Sequence, residues 1–261
     1  MARAKTNPLN TTFSFETTLI WMGSISLLAG QTIKRMFSGG VEFGEIVHQI
    51  KVLGIKSLTI VSLTAVFSGA VMGLQFGMAM GRFGAREMVG QVVSMAILRE
   101  LNPVLTTLLV GGRIGSNMAA ELGSMRVTEQ IDAIRILGAD PITKLIVPRV
   151  LATVIISPLL TIWADLIGVL GGAVVANTEF GVGYQYYYQS VFDMIEIADF
   201  VSGVSKSVFF GFLVSLIACH EGFNTRGGTE GVGHSTTRTV VLLSIITLIA
   251  DFMLTKIFLM L

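Results

Sequence analysis

The stretch SMAILRELNPVLTTLLVGG, Ser94 to Gly112, is apolar enough for a membrane helix, yet Arg99 and Glu100 stand side by side within it. A spanning helix needs about 20 apolar residues. A charge held at the bilayer centre costs about 2.5–3.5 kcal/mol on insertion scales. A span that keeps two charges must turn them toward the protein interior or a water-filled cavity. Neighbours on a helix point about 100° apart, so this pair cannot fully satisfy itself.

Composition agrees with a membrane reading. The 261 residues are 52% hydrophobic and 13% charged, with a mean hydropathy of +0.75. Soluble domains carry about 25% charged residues. A net charge of +1 lacks the basic footprint of a nucleic-acid binder. The single cysteine, Cys219, excludes an internal disulfide and a thiolate cluster, and His48, His220 and His234 lie too far apart for metal-ligand spacing.

Five spans are expected: Leu58–Met80, Met88–Val110, Val150–Val175, Phe200–Cys219 and Thr239–Leu261. Pro158 is placed to kink the third. Before them, Arg3 and Lys5 precede the apolar run Leu19–Ala29, which looks like a signal peptide without a convincing cleavage site. We read that run as retained and too interrupted to span. Val41–Leu53 is amphipathic, with Phe43, Ile46, Val47, Ile50 and Leu53 at helical spacing, and is expected to lie in the membrane interface. An ordinary surface helix is the alternative. The fold expected is therefore all-α: an N-terminal segment (1–57) with an interfacial helix, then a five-span domain (58–261).

The basic residues set the orientation. Arg113, Arg126, Arg135, Lys144 and Arg149 follow the second span, Arg226 and Arg238 precede the fifth, and Lys34, Arg35, Lys51 and Lys56 precede the first. These regions share one side, the cytoplasm, which puts the N-terminus in and the C-terminus out, with Arg82 and Arg86 in the first connection counting weakly against it. The third connection holds Glu179, Asp193, Glu196 and Asp199 and all four tyrosines, an apparent aromatic belt.

Four features carry candidate mechanism. Lys206 and Asp251 sit in the fourth and fifth spans and, with Arg99 and Glu100, sum to zero charge, which suggests one polar cluster joining three spans. It either locks the bundle or meets an anionic head group. Gly69, Gly73, Gly77 and Gly81 recur every four residues, so backbones can approach closely along that face. It suits packing within one subunit, a dimer seam, or passage of a lipid chain. Met72, Leu74, Gln75 and Met78 lie among these glycines as candidate lining. GSMRVTEQIDAIRILGADPITKL predicts a short helix at about 127–138, capped by Thr128, with Glu129 and Asp132 in its first turn, Arg135 after them and Gly138 at its end. Such a helix between the second and third spans suits docking of a cytoplasmic partner. Lastly, GTEGVGHS, Gly228–Ser235, resembles a phosphate-binding loop, but His234 stands where the lysine is required and no strand precedes it. We read it as a flexible glycine-rich loop, so any ATP must bind another chain.

LRELNPVLTTLLVGGRIGSNMAAELGSMRVTEQIDAIRILGADPI, together with STTRTVV, resembles the MlaE permease family, the membrane subunits of MCE-associated ABC lipid transporters. The resemblance runs from about Val41 to the last span. It implies a non-catalytic permease of the bacterial inner membrane, paired as a homodimer, with no cofactor of its own. It further implies an ABC ATPase docked near Thr128–Leu137, an MCE-domain protein outside, and phospholipid as substrate. Arg99, Glu100, Lys206 and Asp251 fall on the family's charged positions, and Met72–Met80 on its cavity lining. Asp165 in the third span departs from that pattern and has Arg149 as a candidate partner. A proton-coupled transporter using Glu100, Lys206 and Asp251 as a relay is the alternative. An intramembrane enzyme lacks a credible His, Ser/Lys or Asp pair.

Overall fold

The computed structural model describes residues 15–37, 42–258 and 260. Arg3, Lys5, Val41, Leu259 and Leu261 lie outside them. The described residues form helices and no strands, and five helical segments are long and apolar enough to cross a membrane. α1 (Phe15–Phe37) precedes the first of these, α2 (Phe43–Arg82). The second is assembled from a 3-10 turn (Arg86–Met88), α3 (Val89–Ala96), a π-helical turn (Ile97–Leu101) and α4 (Asn102–Val127). After the short α5 (Gln130–Ile136) comes a second π-helical turn (Ile142–Ile146), which leads into α6 (Val147–Phe180). α7 (Tyr184–Met194) connects α6 to α8 (Ile197–Phe223), and α9 (Gly228–Phe258) is last.

The separate interfacial helix is corrected. α2 runs 40 residues without a break, so the amphipathic piece is the opening of the same helix that carries the first span. At 1.5 Å per residue it is about 60 Å long, twice a bilayer core. Gly54, a conceivable break point, is used for packing: a Cβ there would sit 2.5 Å from Ile156 Cδ1. Ile46, Ile50 and Leu53 turn toward the bundle core, while Phe43 stays exposed.

Both π-helical turns stand just before a proline, Pro103 and Pro148. A proline ring has no N–H and crowds the carbonyl four residues back. Widening the turn relieves that crowding, and the Asn102 amide accordingly donates to Ile97 O, five residues earlier.

The glycine face resolves to packing within the chain. A Cβ on Gly69 would lie 1.9 Å from Gly168 O, one on Gly73 3.1 Å from Gly172 O, and one on Gly77 2.1 Å from the Phe180 ring. α2 and α6 therefore meet backbone to backbone, and the buried glycines do not themselves face lipid. α1 is held by a polar knot at the far end of α8. Trp21 Nε1 donates to Glu221 Oε1 at 2.7 Å, Ser24 Oγ meets His220 Nε2 at 2.8 Å, and Arg238 from α9 pairs with Glu221 at 3.3 Å.

Two further expectations change. Gly228–Ser235 is the opening of α9, a helix and not a flexible loop. The tyrosines divide: Tyr184 and Tyr186 are exposed, but Tyr187 is buried and donates to Val169 O at 3.3 Å. Burial also pushes the Tyr187 phenol above its ordinary pKa.

Candidate functional site

The site grows from the first π-helical turn. Arg99 and Glu100 lie within it, and Pro103 stands four residues after Arg99, so the Arg99 carbonyl has no α-helical donor. Lys206 supplies one. α8 comes close because Gly203 lies against the turn, where a Cβ would be 2.2 Å from Leu98 O. Lys206, a turn further along α8, reaches Arg99 O at 3.0 Å. Its Nζ also donates to Glu100 Oε2 at 2.7 Å and to Thr255 Oγ1 at 2.7 Å, and lies 3.4 Å from Asp251 Oδ1. The Thr255 hydroxyl in turn donates to Glu100 Oε2 at 3.0 Å. Lys206 is 1% exposed, whereas the Glu100 side chain is 41% exposed. One face of the network is sealed and the other is open.

The expected four-charge cluster is thus brought together in three of its members. Arg99 turns the other way and pairs with Asp199 at 3.4 Å. Asp199 also closes the capping box that starts α8, accepting from the Glu196 amide at 3.2 Å. Its place three residues after Glu196 was the signal for the cap; nothing local signals the pairing with Arg99. Thr255 was equally missed, although it stands one helical turn after Asp251. Three carboxylates therefore face two cations, and Asp251 Oδ1 lacks a hydrogen bond of good geometry.

An apolar groove of about 480 Å³ adjoins this turn. Leu101, directly after Glu100, lines it together with Leu63, Phe67, Val71 and Met72 of α2. Of the other expected lining residues, Leu74, Gln75 and Met78 lie on exposed positions of α2. A polar cluster beside an open apolar trough can receive an amphiphile, head group toward the charges and chain along the trough.

Asp165 does not pair with Arg149. Asn102 Nδ2 donates to Asp165 Oδ1 at 2.9 Å, both buried, which fastens the residue after the π-helical turn to α6. Arg149 instead meets Glu121 at 2.8 Å.

At the opposite end, Thr128 does not cap α5. It closes α4, its hydroxyl donating to Ser124 O at 2.8 Å. Glu129 precedes α5 in the left-handed region at φ 60°. Asp132 accepts two bonds of 2.8 Å from Arg126 and pairs with Arg135 at 3.1 Å. Ile131 is fully buried, so it anchors the helix, while Ile136 and Leu137 are 86% and 83% exposed. Gly138, at φ 78°, ends α5 as expected. Asp140 beyond it is held by Thr143 and by Arg35 of α1 at 3.3 Å. Burial raises the Asp140 pKa, but bonds from the Thr143 hydroxyl and amide and the charge of Arg35 leave it below the usual value.

Comparison with known proteins gives this architecture a lineage. The chain is 39% identical over 237 residues to a probable ABC transporter permease protein of Rickettsia felis, covering 91% of this chain and 92% of that one. It is 39% identical over 240 residues to the chloroplastic protein TRIGALACTOSYLDIACYLGLYCEROL 1 of Arabidopsis thaliana, covering 92% and 69%. Against the intermembrane phospholipid transport system permease protein MlaE of Haemophilus influenzae, identity is 39% over 216 residues, covering 82% and 83%. The family described as Permease MlaE matches residues 46–257, from the first turn of α2 to the last turn of α9, and this chain is an integral membrane protein belonging to the MlaE permease family.

Proposed function

We propose that this chain is the membrane permease subunit of an ABC transporter that moves phospholipid, energised by a separate ATPase. The observation that carries the reading is the half-open Lys206–Glu100–Asp251 network beside the apolar groove lined by Leu101 and Met72. Arg99, on the other side of the π-helical turn and still 31% exposed beside Asp199, draws the head-group phosphate, while Lys206, held by Glu100 and Asp251, sets the local field. The acyl chain lies along Met72, Leu74 and Met78, while Gly69, Gly73 and Gly77 seat α2 on α6 behind them. The named function of the Haemophilus influenzae relative supports phospholipid as the class.

The distribution of basic residues supports an α5 end in the cytoplasm, at an inner membrane, with the N-terminus in and the C-terminus out. α5 is the coupling helix: Thr128 and Glu129 set its entry, Asp132 and Arg135 fix its pitch, and Ile136 and Leu137 offer an apolar knob to the ATPase. The family resemblance adds a second copy of this chain, for which the outward apolar face of α9 offers area, and an MCE-domain protein on the outer side. ATP reaches the system through the partner alone.

Mass spectrometry of lipid co-purifying with the detergent-solubilised protein tests the site. Wild type should retain a selective phospholipid set, and Arg99→Ala should lose it while remaining monodisperse. Unselective lipid, unchanged in the variant, would overturn the site. Glu129→Lys should weaken capture of the ATPase in a pull-down; undiminished capture would remove α5 from the docking role. The excess of carboxylates around Lys206 favours one second reading, proton coupling. Transport driven by a proton gradient without nucleotide would establish that reading instead.

A further inference from the structure

We propose that a second cleft, at the α5 end of the bundle, binds the phosphate group of an anionic phospholipid. The cleft holds about 410 Å³ and is bordered by Lys56 of α2, Arg113, Ser116 and Asn117 of α4, and Thr236 of α9. Its floor is apolar, built from Leu53 and Ile114.

The charge pattern singles it out. Many cations at this end are matched, Arg126 and Arg135 with Asp132, Lys144 with Glu42, Arg149 with Glu121, Arg35 with Asp140 and Arg238 with Glu221; of the described cations that have no such pair, Lys56 and Arg113 are the ones that converge on a cleft. Lys56 and Arg113 share one cleft, and among the described residues neither meets a carboxylate. Arg113 is pre-positioned, because its Nη1 donates to Lys56 O and to Ser57 Oγ at 3.0 Å, which leaves the rest of the guanidinium fork for an acceptor. Ser116, Asn117 and Thr236 add neutral donors. Among the described residues, no acidic side chain lines the cleft.

Depth supplies the ligand class. Lys56 lies two residues before the apolar run that opens at Leu58, Arg113 three residues after the run that ends at Val110, and Thr236 three before the run that opens at Thr239. Three helices thus pass from polar to apolar sequence at one level, where phospholipid head groups sit. Two cations that meet no carboxylate among the described residues, over an apolar floor, match a phosphate joined to acyl chains. The chemistry recognised is a phosphate diester whose charge is not cancelled by a cation in its own head group, which phosphatidylglycerol offers and phosphatidylcholine does not. A free phosphate would satisfy the cations but leave the floor uncovered.

The cleft stands apart from the Lys206 network and needs only a phospholipid bilayer around the chain, so it does not depend on the transport reading. Native mass spectrometry of the full chain, titrated with phosphatidylglycerol or phosphatidylcholine, tests it. Each cation near a head group is worth about a factor of five in affinity, so Lys56→Gln with Arg113→Gln should weaken phosphatidylglycerol binding about 25-fold and leave phosphatidylcholine unchanged. Arg113 also braces α2, so Lys56→Glu, which removes no hydrogen bond, is the second variant. It should lower phosphatidylglycerol affinity at unchanged melting temperature. Equal binding by wild type and Lys56→Glu overturns the site. Inorganic phosphate should fail to displace the lipid; displacement overturns the lipid assignment in favour of a free anion. An equal loss of both lipids would mark general damage and likewise overturn it.

Discussion

Lys206 and Asp132 each hold together three charged groups, yet their surroundings differ completely. Lys206 is 1% exposed, sits within a span and binds two side chains on other helices and one carbonyl. The Asp132 side chain is 44% exposed and ties α5 to the end of α4 with water on one side. The same ion-pair chemistry therefore does two jobs. In the bundle, the pairs decide whether three helices can share an interior. At the α5 end, they set the pitch of a helix that burial of Ile131 already holds.

Removing the central residue of each network should expose the difference most strongly. Lys206→Met leaves Glu100 and Asp251 without a counter-charge; stranding a buried charge costs about 3–5 kcal/mol, and the open side of Glu100 puts the loss toward the lower figure. Thermal unfolding in detergent should show a large drop, partly restored when Glu100→Gln is added. Asp132→Asn should cost about 0–1 kcal/mol, the range for exposed pairs, and that small loss should shrink further in high salt. Comparable losses in both variants would erase the distinction.

A charge-free version of the contrast lies in the glycines. Gly69→Ala places a Cβ 1.9 Å from Gly168 O, against backbone that cannot rotate aside, so α2 must move off α6. Overpacking of this kind costs about 1–3 kcal/mol. Gly23→Ala on α1 meets nothing within 4 Å and should leave the melting temperature unchanged or raise it slightly. If Gly69→Ala were as mild as Gly23→Ala, the backbone contact between α2 and α6 would not be what orders the first span.

Much of this was legible in the residues. Hydropathy alone placed five spans, because each apolar run is about as long as the bilayer core is thick and overlaps one of the five segments of spanning length. The cost of intramembrane charge pointed to Arg99, Glu100, Lys206 and Asp251. What escaped were features set by the third dimension. Arg99 prefers Asp199 because Lys206 already occupies Glu100 from the sealed side, a choice no spacing encodes. Thr255 is neutral, so a search for charges passes over it. The interfacial helix merged with the first span because amphipathicity reports which face is apolar, not where a helix stops. Of the π-helical turns, the sequence carried only a hint, in Pro103 and Pro148.

The smallest effect separates the α5 end from the bundle by pH. The folded Asp140 carboxyl titrates below its ordinary 3.8, with the Thr143 bonds and Arg35 outweighing burial. Its stabilising contribution is therefore complete above pH 3.8 and fades as the pH falls through the lower, folded value. Since Arg35 belongs to α1, the segment loosened should be α1 at its Arg35 end, and not the bundle. Hydrogen exchange on wild type and Asp140→Asn gives the measurement. At neutral pH the wild type should protect the α1 amides near Arg35 slightly better, and the difference should vanish once the carboxyl is protonated. The pair is largely exposed, so the gap is small and should narrow with added salt. A gap that persists in acid would mean that packing of α1, with Trp21 on Glu221, holds the segment and Asp140 does not.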